Sequence, residues 1–484
     1  MGERVLMRFE TILWAALVLL LPITSLPLVS RLSGGTMVAP AATIPLFGLI
    51  VINLGPYLLK QGRLPRLTIP LLGFLFVALL SSALAFFVEF PLFREINRLR
   101  NTLVALLTLL IGVSFFLAAI SWVNSTEKLR LIYRWVNISG TVLILWSLLQ
   151  SFFWALDQGY PDWMWQVQRM ISTAGNLYDR RTTGLAFEPS WLGHQLVLVF
   201  LPYWLAATIL KRSAFSKKLW KISVENVLLL GGISVLWLSL ARSALVSFLL
   251  AFSLVFFRIT TSLISSISRK LETKSKSPQK STFFLWVFVL TIYLGILMAG
   301  LYVFTQFDPR MTDLFKVIGQ QGSLIEITER MVFGERVALW LAGINIFGKY
   351  PILGVGLNNS GYLILENLPV VGWSLVESHK LYYTTALPNT LSLWIRLLAE
   401  TGVVGFSLFI CWIFLLWKTS RYILRAPDPW IRTAAVAGQF TLAALLMEGM
   451  SVDTFAFPYF WLPLGWMAAA YRIHNQSNPT TRSV

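Results

Sequence analysis

The stretch RTTGLAFEPSWLGHQLVLVFLPYWLAATIL, residues 181–210, decides the fold, because a charged, turn-rich phrase runs without a break into an apolar one. Residues 190–210 contain no Asp, Glu, Lys or Arg. About 20 such residues, wound as a helix, cross the roughly 30 Å of hydrocarbon in a bilayer. Arg181, Glu188 and Pro189 therefore stand at the lip of a membrane span.

Similar apolar runs recur from one end of the chain to the other. The expected spans are 10–30, 38–58, 67–89, 102–123, 130–156, 190–210, 223–240, 242–258, 283–305, 391–417, 431–449 and 455–471. The chain has 484 residues, is 56% hydrophobic and only 13% charged, and its mean hydropathy is +0.69. No soluble core of this size encloses that much apolar surface. The fold class is an all-α integral membrane protein of about twelve transmembrane helices, a single polytopic domain over 1–484. The first run follows Arg4 and Arg8 but lacks a small-residue cleavage site, so it reads as a retained span.

Basic residues set the orientation, since short cytoplasmic loops keep Lys and Arg. With the N-terminus inside, 25 of the 40 Lys and Arg fall on inner segments, and an even number of spans returns the C-terminus to the cytoplasm. The net charge of +18 then reflects topology and contact with anionic membrane lipid, and it requires no nucleic-acid partner. Cys411 is the only cysteine and lies in an apolar run, which excludes a disulfide framework. The three histidines, His194, His379 and His474, are scattered, so neither a metal nor a cofactor is expected.

Two polar segments interrupt the pattern on the outer side, 157–189 and a long loop, 306–389, between the ninth and tenth spans. Loops of that length without structure of their own are uncommon. Within the second, Val337, Trp340, Leu341 and Ile344 repeat at helical spacing, predicting a surface helix before the glycines of KYPILGVG end it. On the inner side, 259–282 reads as a basic cytoplasmic linker, loosest in SRKLETKSKSPQK, residues 268–280. No internal repeat is evident, which weighs against a transporter.

Several side chains stand out. Arg242 anchors a tight turn between two apolar runs. It either snorkels to headgroups or grips a phosphate through two parallel hydrogen bonds. Arg336 opens the amphipathic run of the long loop, and Arg180 and Arg181 form a basic pair on the same side. Glu188-Pro189-Ser190 reads as a helix start, with Glu188 serving either the helix end or a sugar hydroxyl, and His194 lies beneath it. Asn389 precedes the tenth span, in which Glu400 and Gly402 predict a break and Arg396 and Glu400 an i, i+4 pair.

In order along the chain, RTTGLAFEPS, LSLARSALVSF, ERVALWLAGINIFGKYPILGVGLNN and PNTLSLWIRLLAETGVVG resemble the O-antigen ligase and O-antigen polymerase superfamily of bacterial membrane glycosyltransferases. The resemblance implies a type C glycosyltransferase-like helical fold in the inner membrane with its active site facing the periplasm. It implies a polyprenyl-diphosphate-linked oligosaccharide as donor and a glycan or glycolipid as acceptor, alongside other polysaccharide-assembly proteins. The family's two diphosphate-holding arginines match Arg242 and Arg336. Where its ligases carry a His-Asn pair, this chain has Pro388-Asn389, which leaves His379 or Glu188 as the catalytic base and favours a polymerase over a ligase. Arg180, Arg181, Asn389 and His194 are the expected substrate contacts. A transporter of lipid-linked glycan and an inactive binding homologue stay open.

Overall fold

The structure is a computed structural model that describes residues 2–60, 64–94, 96–156, 159–215, 222–272, 283, 286–295, 298, 302, 334–375, 380–384 and 386–477. Its main helices are α1 (Gly2–Leu19), α2 (Thr43–Lys60), α3 (Arg66–Phe87), α4 (Arg98–Trp122), α5 (Thr126–Ala155), α6 (Asp162–Ile171) and α7 (Pro189–Ile209). They continue with α8 (Val224–Ser239), α9 (Arg242–Glu272), α10 (Trp286–Gly295), α11 (Gly334–Lys349) and α12 (Ser360–Asn367), then α13 (Leu393–Ile423), α14 (Pro429–Glu448) and α15 (Pro458–Ser477). Among the described residues there are isolated backbone bridges but no strand.

A helix stands at each of the twelve expected spans. Seven of them, α2, α3, α4, α5, α7, α13 and α14, are long and apolar enough to cross a membrane, and α8, the first part of α9 and α10 are shorter apolar helices. The first span differs most from expectation. Its helix begins at Gly2 and ends at Leu19, not 30, because Pro22 stops the helical ladder, and Pro27 opens a separate short helix, Pro27–Leu32. The following loop turns back instead: Ala41 N donates to Ile23 O at 3.0 Å and Leu26 N to Ala39 O at 2.8 Å.

The helix of the opening stretch, α7, is the centre of the bundle. Its apolar window is 89% buried, against 28% for α2 at the rim. It contains a π-helical turn at Leu196–Phe200, and the cause is Pro202, whose ring has no N–H and crowds the carbonyl of Leu198. The Thr441 hydroxyl of α14 takes up that carbonyl at 2.9 Å, so the break also ties two helices together.

α13 breaks at Gly402, as the sequence predicts. Its φ of 61° and ψ of −169° belong to a region open to glycine alone. The segment after α11 crosses the break and satisfies the freed backbone. Val355 N donates to Ala399 O at 3.0 Å and Gly356 N to Glu400 O at 2.9 Å, while Val403 N donates to Pro351 O at 2.8 Å. Gly354 permits the crossing, since a Cβ there would lie 2.4 Å from the Glu400 backbone.

One expectation needs correction. The linker was expected to be loose over 268–280 from its basic and serine content, yet α9 runs through Glu272, so 268–272 is helical. Ile259, Leu263, Ile267 and Leu271 recur every fourth residue, a helical period hidden by the polar composition. The expected outer-loop helix is present as α11; its inward face is Ala338, Leu339, Ala342 and Ile346, while Leu341 and Ile344 are exposed. Small residues win the inner face because α11 packs closely on α13: a Cβ on Gly343 would meet Ile395.

Candidate functional site

By strict alternation of the helices, one end of the bundle collects the start of α7, the α8–α9 turn, the N-terminus of α11, the start of α13 and the 449–457 connection. Every described candidate side chain lies there. His379 and the loop residues 306–333 lie outside the described residues, as does 273–282 of the linker.

The charged lip is built by its neighbours. Gln150 of α5 accepts from Thr183 N at 3.1 Å and Gly184 N at 2.8 Å and donates to Gly184 O at 3.1 Å. Ser151 and Thr182 share a hydroxyl bond at 2.7 Å. Thr182 N donates to Leu238 O at 3.0 Å, and Arg181 Nε donates to Ser239 O at 3.3 Å. Arg181 is thereby held at the C-terminal end of α8, where a cation meets the negative end of the helix dipole. Leu240, in the left-handed conformation, turns the chain, and Arg242 opens α9, half-buried. Arg181 and Arg242 thus flank one turn, while Arg180 is exposed beside them.

Glu188 precedes α7 as its N-cap residue and accepts from the Ser190 hydroxyl. It also acts on Tyr178, whose phenol is pushed up first by burial and then by the Glu188 charge, against the lowering pull of Arg181. His194, about one and a half helical turns further in, is buried and bonded through Nδ1 to Glu448 at the end of α14. Glu448 and Glu188 both act electrostatically on Tyr459, the second residue of α15.

A second wall faces the long loop. Arg336, in the first turn of α11, donates to Leu391 O at 3.3 Å. Asn389 accepts from Leu391 N at 3.1 Å, so both side chains fix one tight turn. Arg396 Nε donates to Glu400 at 2.9 Å and its guanidinium also bonds the backbone carbonyl of Asp453. Ser360 donates to the other Glu400 oxygen at 2.8 Å. Burial pushes the Asp453 carboxyl above the usual aspartate range, Arg396 and Arg336 pull it back, and Glu400 adds to the rise.

The 449–457 connection joins the two walls. Leu393 N donates to both Gly449 O at 2.7 Å and Val452 O at 2.8 Å, while Phe457 meets Trp191 edge to face at 4.7 Å. Sequence reasoning passed over Glu448, Asp453 and Tyr459. The available signal was MEGMSVDTFAFP, two acids in an otherwise apolar hairpin between spans. Among the described residues, no three His, Cys, Asp or Glu side chains gather as a metal-binding group.

Residues 227–410 match the family model described as O-antigen ligase. That segment runs from α8 to the first half of α13 and contains Arg242, Arg336, Asn389, Arg396 and Glu400. A comparison with curated proteins finds no match. The O-antigen ligase match, in a helical chain with seven helices long and apolar enough to cross a membrane among the described residues, supports the resemblance of this protein to the O-antigen ligase and polymerase superfamily.

Proposed function

We propose that the protein is an O-antigen or exopolysaccharide polymerase. It transfers a glycan from polyprenyl diphosphate to the hydroxyl of a lipid-linked acceptor sugar at the outer face of a bacterial inner membrane. One observation carries the reading: Arg242 and Arg336 both occupy the first turn of a helix at the same end of the bundle. A helix N-terminus presents free N–H groups and partial positive charge, and an arginine adds a forked donor. Two such ends suit a diphosphate, and neutralising charge on the leaving diphosphate lowers the barrier to transfer.

Arg181 and the exposed Arg180 add positive potential along the lip, and Glu188 contacts a sugar hydroxyl. His194 supports that wall from beneath through Glu448, and Asn389 shapes the opposite wall. Asn389 spends its carbonyl on the Leu391 turn and Pro388 stands before it, which supports polymerase over ligase because the paired histidine of ligases is lacking at that place. Transfer to another acceptor, the ligase reading, is the second choice, favoured by the description of the matched family.

The test is a gel of surface polysaccharide and lipid-linked intermediates from a strain lacking this protein, with and without its restoration. A polymerase predicts that long chains vanish while single repeats persist. Long chains that still form but stay on the carrier would mean a ligase, and an unchanged pattern would remove the transferase reading.

A further inference from the structure

The transfer proposed above needs a group to take the proton of the acceptor hydroxyl. Glu188 accepts from Ser190 and His194 is engaged by Glu448. Asp453 differs from both. It sits on the 449–457 connection, pinned to the start of α13 by the two Leu393 hydrogen bonds and by Arg396 on its own carbonyl. The residue keeps part of its surface open, while its Oδ2 is itself enclosed and has no hydrogen-bond partner among the described residues. The charge of Arg336, one of the two proposed diphosphate ligands, reaches its carboxylate.

We propose that Asp453 is the catalytic base, a role that rests on the transferase reading. The acceptor oxygen bonds to the anomeric carbon as the bond from that carbon to the diphosphate oxygen breaks, and the electron pair leaves on the diphosphate beside Arg336. The hydroxyl proton passes to the Asp453 carboxylate and from there to water. Buried without a full set of partners, this carboxylate holds a proton more readily than an ordinary aspartate, which brings it nearer the working pH of a base. The charged groups facing it are Arg336 of α11 and Arg396 and Glu400 of α13.

The experiment uses the full chain in lipid nanodiscs with a synthetic polyprenyl-diphosphate-linked repeat as donor and acceptor. Asp453→Asn keeps the shape and the backbone carbonyl that Arg396 holds. The expected result is a fall in kcat of about 10²-fold or more with donor KM unchanged, and partial recovery in Asp453→Glu. In the unsubstituted protein, kcat falls as pH drops through a pKa above that of ordinary aspartate, and the residual activity of Asp453→Asn lacks this acid limb. Product from the unsubstituted protein together with a fully active Asp453→Asn overturns the assignment and leaves the transferase reading standing. An unsubstituted protein that makes no product overturns both.

Discussion

Arg396 Nε donates to Glu400 at 2.9 Å, one helical turn apart and largely enclosed. The guanidinium also holds the Asp453 carbonyl and lies over the Phe455 ring at 5.6 Å. Glu400 in turn takes Ser360, so one ion pair fastens α13 to α12 and to the last outer connection. Breaking a buried pair from one side strands a charge and costs roughly 3–5 kcal/mol, whereas removing both partners costs less. Glu400→Gln should therefore lower thermal stability in detergent more than the double variant Arg396→Met/Glu400→Leu. Equal melting temperatures for Glu400→Gln and the unsubstituted protein would show that the pair contributes nothing.

Gly402 and the Ile352 carbonyl meet so closely that a Cβ would stand 2.2 Å from the oxygen. Gly402→Ala should abolish the monodisperse peak in size-exclusion chromatography. Gly159→Ala is the control: its φ is also positive, at 70°, but nothing lies within 4 Å of the added carbon. The left-handed conformation alone costs about 1–2 kcal/mol, so that variant should still fold. Two variants that behave alike would show that crossing at the break is not what Gly402 serves.

The expectation that both termini are cytoplasmic has a direct test, because Cys411 is the only cysteine. In a Cys411→Ser background, Asp179→Cys and Arg425→Cys place exposed thiols at opposite ends of the bundle. A membrane-impermeant maleimide added to intact spheroplasts should label the first and spare the second until the membrane is opened. The reverse pattern would invert the topology and move Arg242 and Arg336 to the cytoplasmic side.

Span positions were legible because an apolar run of about 20 residues is a local property. So was the break at Glu400 and Gly402. The missed features are those in which distant segments meet. His194 pairs with Glu448 across 254 positions, and no pattern near either residue announces the other. Asp453 gains its surroundings from α11 and α13, remote in sequence. The helix α11 was legible from its period, but its buried face depends on a distant partner: close approach to α13 turns Ala338 and Ala342 inward and leaves Leu341 and Ile344 exposed.

Arg242 and Arg336 bear the proposed charge of the leaving diphosphate, and each is tested by shape as well as charge. Removing one donor of this kind typically costs about 10²–10³ in kcat. Arg242→Ala and Arg336→Ala should each lose product on that scale, measured as chain extension on polyprenyl-diphosphate-linked repeats. Lysine keeps the charge but loses the planar fork, so Arg242→Lys and Arg336→Lys should recover only part of the loss. Full activity in the lysine variants would mean that potential alone is needed. Full activity in either alanine variant would remove that arginine from the diphosphate site and leave its helix end as structure only.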